Sequence, residues 1–206
     1  MSINSNTNNP NNPLFWDSKY KTDNIGWDIG CATPIFTHYF KKLSTANKKI
    51  LIPGSGNGHD AIYLAELGFE VYTVDFSKVA NHNLITESKM KGLSITVITE
   101  DFFNLNNYDF YFDIILEYTF FCAINPERRN EYIKKIYSLL KSNGMLVGIF
   151  LPLIKDSKVK GPPFTVNIET VNNQFSKYFK NITFKKSKFS IKPRKNNELF
   201  FTMEKH

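Results

Sequence analysis

The sequence predicts an α/β fold, a mostly parallel sheet with helices on both faces. Three observations lead there. Short apolar runs alternate with helix-periodic segments from residue 49 to residue 203, the order expected of repeated strand–helix–strand units. The runs themselves, such as "KILIP" and "FDIILEY", are nearly continuous in apolar residues, as strands buried on both faces are. Glycine or proline stands at several of the joins, where one element must give way to the next.

The first 13 residues, "MSINSNTNNPNNP", carry six asparagines, two prolines and no charged side chain. They hold too little apolar surface to order themselves and read as a disordered tail. A single domain is expected over residues 14–206. Residues 49–53 read as a strand, and 57–67 as a helix with apolar Ile62, Leu64, Ala65 and Leu67, stopped by Gly68. A strand over 70–75, a helix over 77–91 closed by Gly92, and a strand over 94–99 follow. Residues 112–118 form a fourth strand, and Pro126, favoured in a first helical turn, opens a helix running to Lys141. A fifth strand over 144–152, a helix over 168–179 and a strand pair, 181–191 with 197–203, complete the chain.

Composition narrows the function classes. A length of 206 residues with 42% hydrophobic content suits one sizeable core. No apolar run reaches the roughly 18 residues of a membrane span, and no basic-plus-apolar leader opens the chain, so a soluble cytoplasmic protein is expected. Cys31 and Cys122 are too few for a disulfide framework and stand in no metal-ligand spacing with the four histidines. No metal is expected. The net charge of +7 admits an anionic partner such as nucleic acid. Its positive residues concentrate in "FKKSKFSIKPRK" (184–195), read as a solvated strand pair whose charge discourages edge pairing. No exposed apolar helix face stands out, and a monomer is expected.

Ligands of such sheets bind at the carboxyl ends of the strands. There the chain places Gly54-Ser55-Gly56-Asn57-Gly58, followed by Asp75, 21 residues after Gly54. A phosphate-gripping P-loop needs a lysine that is missing here, and the third glycine is wrongly spaced for a dinucleotide fingerprint. Glycines for close approach plus an acid placed for ribose hydroxyls imply a nucleoside-containing cofactor, either a nicotinamide dinucleotide or S-adenosylmethionine. Asp101, with Phe102 beside it, follows the third strand, and Glu117 ends the fourth. A carboxylate can accept a hydrogen bond from an adenine amino group while an aromatic neighbour packs on the ring.

The segments "ILIPGSGNGHD", "EDFF", "DIILEYTFFCAINPERR" and "GPPF", preceded by "FWDSKY", "GWDIG" and "TP", resemble the thiopurine methyltransferase superfamily, most of all its thiol and halide methyltransferase branch. The resemblance runs in order from Phe15 to the end of the chain. It implies a class I S-adenosylmethionine-dependent fold, with a Rossmann-like seven-stranded sheet whose last strand is antiparallel, and S-adenosyl-L-homocysteine as product. Carried over by position, it implies a lid over about residues 14–45 that brings Trp16, Tyr20 and Trp27 onto the cofactor. Gly54, Ser55 and Gly56 would approach the methionine portion, Asp75 with Phe76 the ribose, and Asp101 with Phe102 the adenine. Glu117 would stand near the methionine end. Pro53 replaces the acid that many class I enzymes carry before the first glycine.

Methyl transfer to an anionic, polarisable nucleophile needs mainly positioning and removal of water. An aromatic pocket suits both tasks, and its candidates are Phe15, Trp27, Phe120, Phe121 and Phe164. Tyr118 is the leading catalytic candidate because its hydroxyl can orient a thiol or donate to an anion. His59 and Asp60 are adjacent on a helix and face different ways, so they read as capping or packing residues. Cys122 reads as a small buried apolar group. A small thiol or halide is the expected acceptor. The rival readings are a nucleic-acid or amino-group methyltransferase, a non-catalytic cofactor binder and a nicotinamide-dependent oxidoreductase. "GPPF" favours the first of these but follows the fifth strand rather than the fourth.

Overall fold

The computed structural model describes residues 9–154 and 161–206. Seven strands form one sheet: β1 (Lys49–Pro53), β2 (Glu70–Val74), β3 (Ile95–Ile98), β4 (Phe112–Tyr118), β5 (Leu140–Phe150), β6 (Phe179–Lys185) and β7 (Leu199–Lys205). Their spatial order is β3-β2-β1-β4-β5-β7-β6. Strands β1 to β5 are parallel, and β7 pairs antiparallel with both β5 and β6. The helices are α1 (Pro13–Lys21), α2 (Pro34–Phe40), α3 (His59–Glu66), α4 (Lys78–Met90), α5 (Arg129–Leu139) and α6 (Ile168–Phe175).

Alternation along the strands sends neighbouring side chains to opposite faces. Leu51, Ile115 and Leu146 pack with Tyr132 and Ile136 of α5 and Phe175 of α6. Ile50, Ile52, Ile114 and Leu116 pack with Phe36 and Phe40 of α2 and Leu64 of α3. Both faces are therefore covered, as the apolar strands predict. The chain winds from β1 out to β3, then returns to place β4 on the other side of β1. A crevice opens where the winding reverses. No described helix is long and apolar enough to cross a membrane.

Several boundaries differ from the sequence reading. Asn12 caps α1 by accepting from the Leu14 N–H, and Pro13 takes the first helical position. Residues 9–13 thus belong to an ordered turn and helix start, while residues 1–8 lie outside the described residues. The helix expected from Pro126 begins as a 3₁₀ turn, Pro126–Arg128, and becomes α5 only at Arg129. β5 begins at Leu140, which pairs with Phe112, but the register is picked up again only at Ile114 with Met145. β5 stops short of Pro152, which has no N–H for a ladder. The helix expected over 168–179 ends at Phe175, and Phe179 already opens β6.

The lysine-rich run is the largest correction. Only Phe184 and Lys185 belong to β6; the rest is a connection with a 3₁₀ turn at Lys192–Arg194. Pro193 cannot donate to a ladder, and the chain uses it to turn instead. The N-terminal region also divides in two. α1 lies along α4, where Asp17 Oδ1 accepts from Ser77 Oγ at 2.6 Å and from the Val79 N–H at 3.3 Å. α2 is core: Phe36 and Phe40 are fully buried, worth roughly 2–3 kcal/mol each.

Candidate active site

The turn after β1 is built from glycines in the left-handed region, Gly54 (φ 59°) and Gly56 (φ 55°), a conformation that favours glycine. A Cβ on Gly54 would collide with the Phe120 ring, and one on Gly56 would lie 2.7 Å from Tyr20 Oη. The bare backbone lets both aromatic rings close onto the turn. Asp75, just after β2, holds this loop: its Oδ2 accepts from the Gly56 N–H at 3.1 Å and its Oδ1 from the Ser77 N–H at 2.9 Å. Burial pushes the Asp75 carboxyl up to about 6, against the downward pull of those two N–H groups.

Beside this loop lies a cavity of about 510 Å³, within the range of small-molecule sites. Its floor carries Asp75 and Phe76 after β2, Asp101 and Phe102 after β3, and Phe120 and Cys122 after β4. Leu151 and Pro152 after β5, with Pro162, Pro163 and Arg194, also line the cavity. The roof is Phe15, Trp16, Tyr20 and Trp27. Trp16 meets Phe15 edge-on at 5.0 Å and Trp27 at 5.3 Å, and Tyr20 meets Trp27 at 5.7 Å. Trp16 Nε1 donates to the Pro10 carbonyl at 2.8 Å.

Polar contacts pin the roof to the body. Arg194 Nη2 donates to the Trp27 carbonyl at 2.6 Å. Asp28 pairs with His59 Nε2 at 3.0 Å and accepts from Asn57 Nδ2 at 2.7 Å. Asp60 accepts from the Thr33 N–H at 2.7 Å and from its hydroxyl at 2.9 Å. Burial raises Asp60 to about 6. At Asp28 burial pushes upward too, but the hydrogen bonds from His59, Gly30 and Asn57 outweigh it and bring the carboxyl down to about 2. His59 and Asp60 thus face different ways, as adjacency on a helix requires, and both serve the roof.

The structure gathers Phe15, Trp16, Tyr20 and Trp27 with Gly54, Asp75, Phe76, Asp101, Phe102 and Phe120 around one cavity. Asp101 accepts from the Phe103 N–H at 3.0 Å and lies 3.9 Å from Arg128 Nη1. Ser55 and Gly56 line a smaller recess of about 50 Å³ that shares Gly54, Trp27 and Thr119 with the cavity. Ser55 Oγ is buried there and has no hydrogen-bond partner among the described residues.

Four expected site residues stand elsewhere. Glu117 is buried beneath the cavity, accepting from the Phe120 and Phe121 N–H groups at 3.0 and 2.8 Å and from Tyr132 Oη at 2.5 Å. Burial pushes it up to about 7. It shapes the turn after β4 and does not line the cavity. Phe121 points into the core against Tyr132 and Phe150. Phe164 does not line the cavity; its N–H donates to the Cys122 carbonyl at 2.6 Å, and Pro162 and Pro163 line the cavity instead. Tyr118 lines the smaller recess, edge-on to Phe36 at 5.5 Å and 5.1 Å from the Arg194 guanidinium.

Arg194 was hidden in the lysine run. One signal sets it apart in sequence: it is the single arginine among the lysines of 184–195, and only a guanidinium can fork between a carbonyl and an aromatic face. Its Nη1 is buried and has no hydrogen-bond partner among the described residues. Among those residues no cluster of metal-ligating side chains occurs.

Solved structures of the same topology define the class. The 1,6-didemethyltoxoflavin-N1-methyltransferase of Burkholderia thailandensis, solved with 1,6-didemethyltoxoflavin and S-adenosylhomocysteine, matches at a TM-score of 0.72 and 16% identity, over 94% of this chain and 86% of its own. The fold is the Rossmann-like fold of class I methyltransferases. Sequence comparison then gives the family. The thiopurine S-methyltransferase family model matches residues 11–206. Thiocyanate methyltransferase 1 of Arabidopsis thaliana is 32% identical over 186 residues, covering 89% of this chain and 81% of that protein. Probable thiol methyltransferase 2 of the same plant is 29% identical over 191 residues, with coverage of 89% and 81%. The chain belongs to the thiopurine S-methyltransferase family and is an S-adenosyl-L-methionine-dependent S-methyltransferase.

Proposed function

We propose that this enzyme methylates a small anionic sulfur nucleophile, thiocyanate or a low-molecular-weight thiolate, with halides as a slower side activity. The observation that carries the reading is Arg194, a half-buried guanidinium whose buried Nη1 has no partner among the described residues, lining the cavity together with Leu151, Pro152 and Pro162. Burial lowers its pKa, yet a guanidinium remains charged near neutrality. An anion held there gains a charge-assisted hydrogen bond, while Leu151, Pro152 and Pro162 strip its water and leave it more nucleophilic.

The residues present fit the methyl donor. Bound S-adenosyl-L-methionine supplies an electrophilic methyl group on a sulfonium and leaves as S-adenosyl-L-homocysteine. Asp75 has lone pairs left for the two ribose hydroxyls after its loop contacts. Phe76 and Phe102 offer ring faces, and Asp101 an acceptor, for adenine. Ser55 Oγ and the bare Gly54 turn suit the polar methionine end. Trp16 and Trp27 close the roof against water. Tyr118 serves as a support under Arg194, not as a proton donor; an anionic acceptor needs none.

The protein acts as a cytoplasmic monomer, without nucleic acid. Among the described residues, the large exposed apolar side chains, Leu14, Met90, Phe110 and Ile154, lie on separate segments of the sequence. The test is headspace gas analysis of purified protein given S-adenosyl-L-methionine with thiocyanate, sulfide, methanethiol or iodide. Methyl thiocyanate or methyl sulfides should dominate and methyl iodide should be slower; no volatile product from any acceptor overturns the proposal.

A further inference from the structure

Arg129, the first residue of α5, reaches across to the segment 161–166. Its Nη1 donates to the Thr165 carbonyl at 3.1 Å and its Nη2 lies 3.4 Å from the Phe164 carbonyl. The guanidinium carbon sits 4.5 Å from the centroid of the Phe121 ring. Its Nε is buried and has no hydrogen-bond partner among the described residues. The segment it grips forms one wall of the cavity through Pro162 and Pro163, and the turn after β4 forms the facing wall through Phe120 and Cys122.

Two backbone bonds tie the same segment down: the Phe164 N–H donates to the Cys122 carbonyl at 2.6 Å and the Val166 N–H to the Pro152 carbonyl at 2.9 Å. The first of these joins the segment to the turn after β4. Arg129 adds a side-chain tie beside it and acts as a spacer between the segment and the Phe121 ring, its planar fork held on one side by two carbonyls and on the other by an aromatic face.

We infer that Arg129 is a positioning residue that sets the width of the acceptor end of the cavity, and with it the preference for small acceptors. This rests on the reading of that end as the acceptor's. A purely structural stitch would lower stability and leave the choice of acceptor alone. A spacer, when shortened, loosens the wall: a small anion loses its fit, whereas a bulky aryl thiol gains room.

The experiment compares wild type, Arg129→Ala and Arg129→Lys in full-length protein by three readouts. Affinity for S-adenosyl-L-homocysteine, followed by tryptophan fluorescence, should stay within about twofold, since the cofactor end is untouched. The KM for thiocyanate in Arg129→Ala should rise about tenfold with kcat falling less, as expected when a positioning contact is lost. Its ratio of kcat/KM for thiophenol over thiocyanate should rise about fivefold or more, and Arg129→Lys should recover part of both changes, one donor being kept. Amide hydrogen exchange across 161–166 should accelerate in Arg129→Ala even where turnover is not measured. Equal losses for both acceptors, or exchange as slow as in wild type, overturn the inference. A wild type that methylates neither acceptor refutes the functional reading and with it the claim on selectivity, while faster exchange in Arg129→Ala would still show that Arg129 positions the segment.

Discussion

His59, at the start of α3, holds Asp28 of the roof segment at 3.0 Å. The pair joins the start of α3, just after the glycine turn, to the residue that follows Trp27. The hydrogen bond to Asp28 raises the His59 pKa above 6.5, and Asp28 is held at about 2. The signs follow. The histidine's contribution is complete below 6.5 and is lost as pH rises through its raised value. The carboxylate's contribution is complete above 3.8 and is lost as pH falls through about 2. The latch is thus closed at mildly acid to neutral pH and opens on the alkaline side.

Cofactor dissociation, measured by stopped-flow tryptophan fluorescence, should accelerate by about two- to fivefold between pH 6 and pH 9, the scale of a partly exposed ion pair. His59→Gln should release cofactor quickly at both ends and flatten the profile. A wild-type rate independent of pH would remove the latch.

Asp75 titrates in the opposite sense for binding. With its carboxyl raised to about 6, its contribution to the stability of the unliganded protein is present below 3.8 and lost as pH rises through 6. Hydroxyl donors prefer the ionised form, so calorimetric affinity for S-adenosyl-L-homocysteine should strengthen as pH rises from 5 to 7. Asp75→Asn should weaken binding by about 100-fold at pH 7.5, the loss of two charge-assisted hydrogen bonds, and should abolish most of that pH dependence.

Arg194→Ala should raise the KM for thiocyanate by about tenfold or more, again the scale of a charged hydrogen bond, with cofactor affinity within about threefold. Tyr118→Phe keeps the ring beneath the guanidinium and should leave turnover within about twofold, whereas Tyr118→Ala should mimic part of the Arg194 loss. Steady-state kinetics separates these. A strong defect in Tyr118→Phe would return the hydroxyl to the chemistry.

Glu117→Ala leaves the buried Phe121 N–H, the half-buried Phe120 N–H and the Tyr132 hydroxyl without their acceptor. A cost of about 3 kcal/mol is expected, or a fall in Tm of roughly 6–12 °C for a chain of this size. Glu117→Gln keeps an acceptor for the two N–H groups and should fall much less. Thermal denaturation by circular dichroism decides it.

Much of this was legible in the sequence. The glycine turn and Asp75 could be paired because the distance from one strand end to the next through one helix is narrowly set by the strand–helix–strand unit. The aromatic roof showed itself as tryptophans in a polar segment. What was lost involved direction. Glu117 ends a strand like Asp75, but the turn after β4 folds its N–H groups back over the carboxylate. Phe120 and Phe121 are adjacent, and only three-dimensional packing tells which faces the cavity. Arg194 was passed over because the run was read by its charge, which does not reveal which member turns inward; its being the single arginine there was the one available signal.

The order of the sheet has a consequence for how the enzyme comes into being. In the sheet β6 pairs only with β7, which follows it in the chain and lies between it and β5. Residues 179–185 therefore enter the ladder only once residues 199–205 have been made, although Lys180 and Phe184 also reach Asn143 and Phe150 of β5. Arg194 lies on the connection between them, so its place on the cavity wall is fixed by the same late insertion. A nascent chain halted in that interval would carry the glycine turn and Asp75 and still lack Arg194 beside them.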